Sequence, residues 1–106
     1  MKKPDETKRF PNMKLDIVKV GEFTIRRHTY KPGWKWSKHI KPIAKTKSCQ
    51  SHHVGFCVSG HIEGVMDDGT KWKMRKGDVI DLPVGHDGWV VGKKPCVFIE
   101  FLSPSQ

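Results

Sequence analysis

Glycine and proline recur along this chain too often to leave room for a helix of ordinary length, and no ten-residue segment carries a convincing 3.6-residue apolar period. Between them lie short runs that alternate or are rich in β-branched and aromatic residues. Residues 14–20 alternate weakly, and 23–30 (FTIRRHTY) form a clearer strand that Pro32-Gly33 turns. Residues 34–40 read as a strand with Trp34, Trp36, Lys38 and Ile40 on one face, stopped by Pro42. Residues 52–58 form another, closed by Gly60, and 61–66 lead into Asp67-Asp68-Gly69, the strongest hairpin signal in the sequence. Residues 71–74 return. The remaining strands fall at 79–82, 86–91 and 96–102, separated by Lys76-Gly77-Asp78, Pro83 and a turn at 92–95. About nine short strands at roughly 8–12-residue spacing predict an all-β sandwich or barrel.

The chain of 106 residues is long enough for about one domain. Residues 1–13, with Pro4 and Pro11, read as a flexible or edge-pairing N-terminal arm, and 14–106 as a single barrel domain. No stretch approaches the ~20 apolar residues of a membrane span, and the charged start lacks the apolar region of a secretory signal, so a cytoplasmic address is expected. Three cysteines (Cys49, Cys57, Cys96) without C-x-x-C spacing are expected to be thiols, with Cys57 and Cys96 as small core residues.

The net charge of +9 is uneven. Residues 1–50 carry 14 Lys and Arg against 4 Asp and Glu, while 51–106 carry 6 against 7. Six lysines stand between Lys31 and Lys47 without an acid, with Trp34 and Trp36 among them. Basic charge interleaved with aromatics is one nucleic-acid signature. No helix-based reading motif or RNA-binding strand motif accompanies it, so a solvated surface is the preferred reading and an anion or nucleic-acid site a distant alternative.

Chemistry concentrates in Cys49-Gln50-Ser51-His52-His53 and Pro83-Val84-Gly85-His86-Asp87. Gly60, Asp67-Asp68-Gly69, Lys76-Gly77-Asp78-Val79 and Leu82-Pro83-Val84-Gly85-His86 together resemble the core of a small single-domain cupin, over residues 30–101. Pro32-Gly33-Trp34-x-Trp36-Ser37-x-His39, Cys49-Gln50-x-His52-His53 and Pro83-x-Gly85-His86-Asp87-x-Trp89 resemble a largely uncharacterised bacterial subfamily of these. The resemblance implies a double-stranded β-helix, or jelly-roll, barrel. It departs from the family pattern at the metal site. Counted back from Gly60, His53 stands in the usual glutamate slot. With a gap of three, Cys49 takes the second-histidine slot and Lys47 the first; with a gap of four those slots fall to Ser48 and Thr46. In the second motif the histidine slot is Gly88, and the histidine present is His86, two residues earlier.

In the cupin frame the face shared by Cys49, Ser51, His53, Gly55 and Cys57 looks into the barrel, and His86 has the parity to join it. Cys49, His53 and His86 are then the candidate ligands of a divalent transition metal, with N/S ligation favouring zinc, iron or copper and a coordination position left open. His39, His52, Asp87, Trp36 and Trp89 are further ligand-pocket candidates; a bulge at Ser51 would exchange His52 for His53. The expected function is a barrel binding a transition metal and a small organic ligand, with enzymatic activity left open. The alternative is a metal-free small-molecule binding or sensing module. The resemblance also implies a homodimer formed through the N-terminal strands, for which Phe10, Leu15 and Ile17 offer apolar surface.

Overall fold

The structure, a computed structural model, describes residues 3–102. Nine strands run in chain order: β1 (Glu6–Phe10), β2 (Met13–Val20), β3 (Phe23–Tyr30), β4 (His53–Ser59), β5 (His61–Met66), β6 (Lys71–Arg75), β7 (Val79–Leu82), β8 (His86–Val90) and β9 (Cys96–Leu102). They form a six-stranded sheet, β1-β2-β3-β9-β4-β7, facing a three-stranded one, β6-β5-β8. Every pairing is antiparallel. This is the expected all-β jelly-roll barrel.

The turn chemistry falls where the sequence placed it. Gly69 has φ +90°, a conformation that favours glycine, and Asp68 Oδ1 accepts the Thr70 N–H, so β5 folds back on β6 with Val65 opposite Lys71. Inward residues then alternate with outward ones. On β9, Cys96, Phe98 and Glu100 are buried, whereas Val97, Ile99 and Phe101 face out. The core gathers Tyr30, Trp34, Trp36, Ile62, Met74 and Phe98 between the two sheets, with Cys57 and Cys96 fully buried thiols beside them.

Residues 34–40 do not form the expected strand. Lys35 makes a single bridge to Trp89, and the chain then winds into two one-turn helices, α1 (Trp36–His39) and α2 (Lys41–Ala44). A tertiary contact overrides the alternating pattern: Asp87 Oδ1, projecting from β8, accepts the Ser37 N–H at 3.1 Å in the first turn of α1. Pro42 continues the chain into α2 instead of stopping it, because the first turn of a helix needs no N–H there. Trp34 and Trp36 are both buried, so the rings interleaved with the exposed lysines from Lys31 to Lys47 belong to the core and not to the basic surface. No helix among the described residues is long and apolar enough to cross a membrane.

Candidate metal centre

Backbone pairing at the mouth of β8 brings the two chemical segments together. Cys49 lies outside any strand but bridges His86: its N–H donates to the His86 carbonyl at 2.8 Å, and its own carbonyl accepts the Gly85 N–H at 2.7 Å. His53, four residues on, opens β4 opposite Leu82 of β7. The Cys49 Sγ and His53 Nε2 are 3.7 Å apart, the His53 and His86 ring centres are 5.2 Å apart, and one ligand atom from each of the three residues lies within 4.8 Å of the others.

The imidazoles are oriented from behind. His86 Nδ1–H donates to the Pro83 carbonyl at 2.7 Å, which leaves Nε2 as its free ligand atom. His53 Nδ1–H donates to Glu100 Oε2 at 2.6 Å, which turns its Nε2 toward the thiol. The other carboxylate oxygen of Glu100 accepts His28 Nε2–H at 3.0 Å, and Arg26 Nη1 lies 3.9 Å away. Glu100 is 1% exposed. Such a carboxylate behind a ligating histidine fixes its tautomer and raises its basicity.

Glu100 and His28 escaped the sequence reading, although a signal existed. Glu100 occupies the inward parity of an apolar strand, after Cys96 and Phe98, and His28 has the parity of Tyr30 on β3. What the sequence does not disclose is the neighbour relation β3-β9-β4, which sets Glu100 between Arg26 and Gly55 and so beside His53.

The electrostatics follow from burial and these contacts. Burial alone would raise the Cys49 thiol, but hydrogen bonds from His53 and His86 and from the Ser51 N–H outweigh it and bring the pKa to about 6. Burial alone would lower His53; its contacts with Cys49 and Glu100 reverse this and lift it to about 9. Burial opposes ionisation of Glu100, yet the His28 and His53 hydrogen bonds hold it at about 2. His28 itself is pushed down, mainly by burial, and is neutral at pH 7. Without a bound ion, Cys49 and His53 are therefore a thiolate–imidazolium pair, and the two shifts are two sides of one interaction. Thiolate absorbance of the metal-free protein should titrate near pH 6 instead of near 9, and His53→Gln should return the midpoint toward 9. A wild-type midpoint that stays near 9 would refute the pairing. Cys57 and Cys96, whose pKa values burial raises, should not contribute in this range.

The cluster opens on a cavity of about 250 Å³. Trp36 lines it with Cys49, His53 and His86; the other pocket candidates do not. His39 is tied into α1, its Nδ1 accepting the Lys35 N–H. His52 lies on the opposite strand face, where it pairs with Asp81 near solvent. Asp87 caps the Ser37 and Gly88 N–H groups, and the Lys35 ammonium sits over the Trp89 ring, 5.3 Å from its centre. The displacement of the second histidine also has a structural cause. A Cβ at Gly88 would lie 3.0 Å from the Trp72 ring, so the indole already fills the space at the family's histidine slot, and His86 stands at its edge with ring centres 5.8 Å apart.

No family model matches the chain, and no curated protein matches it. Solved structures do. KdgF from Halomonas sp. is 19% identical at a TM-score of 0.64, covering 95% of this chain and 87% of that one. A sugar phosphate isomerase of the cupin superfamily from Silicibacter pomeroyi is 16% identical at a TM-score of 0.61, covering 86% of this chain and 59% of that one. A cupin-like protein from Thermotoga maritima is 13% identical at a TM-score of 0.57, covering 87% and 68% respectively. At such identities the likeness is one of architecture, and the architecture of this chain is that of a small cupin.

Proposed function

We propose that Cys49, His53 and His86 hold a divalent transition metal inside the barrel, and that the cavity in front of it takes a small organic ligand. The observation that carries this reading is the shared orientation of the two histidines. Each gives its Nδ1–H to an oxygen acceptor, Glu100 or the Pro83 carbonyl, and keeps Nε2 for the cluster. The spacing fits the group. Bonds of about 2.0–2.1 Å to nitrogen and 2.3 Å to sulfur at a tetrahedral angle put the two donor atoms about 3.6 Å apart. The Cys49–His53 separation is 3.7 Å. A thiolate with two imidazoles suits zinc, iron or copper better than magnesium or calcium.

An ion held by these three residues would supply a Lewis acid toward a ligand oxygen. The chain's own residues do the rest. Glu100 and the Pro83 carbonyl hold the two rings in place, and loading releases the Nε2 proton of His53. The apolar wall from Trp36, Ile62, Met74 and Phe98 limits water around the site.

Elemental analysis of tag-free protein after refilling tests the reading. Wild type should hold about one ion per chain, and Cys49→Ala, His53→Ala and His86→Ala should each bind at least about tenfold more weakly. His52→Ala, on the other strand face, should load like wild type. Uptake near zero in refilled wild type sinks the proposal, as does a loss in His52→Ala with none in His53→Ala.

One observation favours a second reading. The thiolate–imidazolium pair is already neutral overall and hydrogen-bonded, so the cavity is chemically complete without an ion and suits a metal-free binding module. The same measurement separates the two.

A further inference from the structure

Beyond the three candidate ligands, the cavity wall carries an excess of hydrogen-bond donors that have nothing to donate to. Arg26 Nε, Trp34 Nε1 and Trp72 Nε1 are buried without a hydrogen-bond partner among the described residues, and all three residues line the cavity. Guanidinium and indole nitrogens are donors only. Buried donors are costly unless an acceptor meets them. The fourth orphan nitrogen in this wall, His28 Nδ1, is an acceptor in the neutral ring that burial enforces.

Arg26 also brings charge. Its guanidinium reaches Glu100 only at the edge of ion-pair range, 3.9 Å from Nη1 to Oε1, while His28 and His53 hold the two carboxylate oxygens at 3.0 and 2.6 Å. Its side chain is 40% exposed, so it stands between the buried cluster and solvent. With a divalent ion in place and both histidines serving as neutral ligands, the thiolate of Cys49 and the carboxylate of Glu100 offset the ion, and Arg26 leaves one positive charge over. A single negative charge on the ligand cancels that excess.

Size and polarity narrow the choice further. About 250 Å³ has room for roughly eight waters at ~30 Å³ each, and benzene is known to fill an apolar cavity of about 150 Å³. Ile62, Leu82, Met74 and Phe98 give most of the wall no polar function. We infer that the ligand of this cavity is a small, largely apolar monocarboxylate whose carboxylate is bound by Arg26. The indole N–H groups of Trp34 and Trp72, which also line the cavity without an acceptor, add a preference for oxygen acceptors over amines. The inference rests on the metal reading for the charge that makes a monoanion the neutral fit.

Calorimetry on zinc-loaded protein with benzoate, its uncharged isostere benzamide and the cation benzylamine tests this, with metal content measured on every sample. Benzoate should bind at least about tenfold more tightly than benzamide, and benzylamine should not bind. Arg26→Gln should weaken benzoate about tenfold and leave benzamide unchanged, and Arg26→Lys should fall between. Zinc uptake with equal affinity for benzoate and benzamide, or an Arg26→Gln protein that holds zinc and binds benzoate like wild type, overturns the ligand class alone. No zinc uptake overturns the metal reading, and the charge count falls with it.

Discussion

Gly64→Ala should destabilise the barrel by about 3 kcal/mol or more, lowering the melting temperature by roughly 10–20 °C. Gly64 sits in β5, and a Cβ there would lie 2.2 Å from the Asp87 carbonyl oxygen and 2.3 Å from the Trp72 ring. Neither neighbour can yield cheaply. The carbonyl belongs to β8, paired with β5 through Gly64 opposite Gly88. The indole lies across Gly64 and Gly88 on one sheet face and meets the His86 ring edge-on. Overpacking usually costs about 1–3 kcal/mol when side chains alone must shift, and backbone displacement adds to that. Gly69→Ala is the comparison: it meets nothing within 4 Å but has φ +90°, so it should cost only about 1–2 kcal/mol of conformational strain. Thermal unfolding followed by circular dichroism measures both. A Gly64→Ala protein no less stable than Gly69→Ala would show that Trp72 is not clamped as described, and the explanation for a glycine at position 88 would go with it.

Local chemistry made most of the architecture legible. Asp67-Asp68-Gly69 turned β5 into β6, and the strands expected at 23–30 and 96–102 became β3 and β9. The cluster itself was also within reach, because Cys49, His53 and His86 are set by two short motifs that one backbone bridge joins. What local chemistry could not supply was the identity of distant neighbours. Asp87 looked like a pocket group, yet a contact fifty residues away in sequence makes it a cap, and the same contact converts 36–39 from strand to helix. Trp72 drew no notice as a residue of a hairpin strand, although its ring decides which position in the second motif is open to a histidine. Glu100 is the clearest case. An acid on the inward face of an apolar strand is costly unless paired, so its parity alone called for a partner, but only the pairing of β9 with both β3 and β4 names two histidines as that partner.

The replacement of Glu100 therefore tests the site from behind. Glu100→Ala should cost about 3–5 kcal/mol of stability, because it leaves His28 Nε2–H and His53 Nδ1–H buried without their acceptor and opens a void. Glu100→Gln keeps the volume and one acceptor oxygen, so it should be milder in stability while still weakening metal binding about 10- to 100-fold, since the charge that makes His53 a better ligand is gone. The pH dependence distinguishes a charge effect from a packing effect. The carboxyl of Glu100 is depressed from its ordinary 4.5 to about 2 in the folded chain. A depressed group contributes stability that is fully present above the unfolded value and is lost as the pH falls through the folded one. That contribution is worth about 3 kcal/mol at pH 7. The gap in urea midpoint between wild type and Glu100→Gln should accordingly be widest at neutral pH and close between about pH 4.5 and pH 2. Protonation of Cys49 near pH 6 in wild type lies above this window, so it does not produce the narrowing between pH 4.5 and pH 2. A gap that stays constant from pH 7 to pH 2 would mean that Glu100 contributes only its shape. Its carboxylate would then not be what orients His53 toward Cys49, and the proposed metal centre would lose its support from behind.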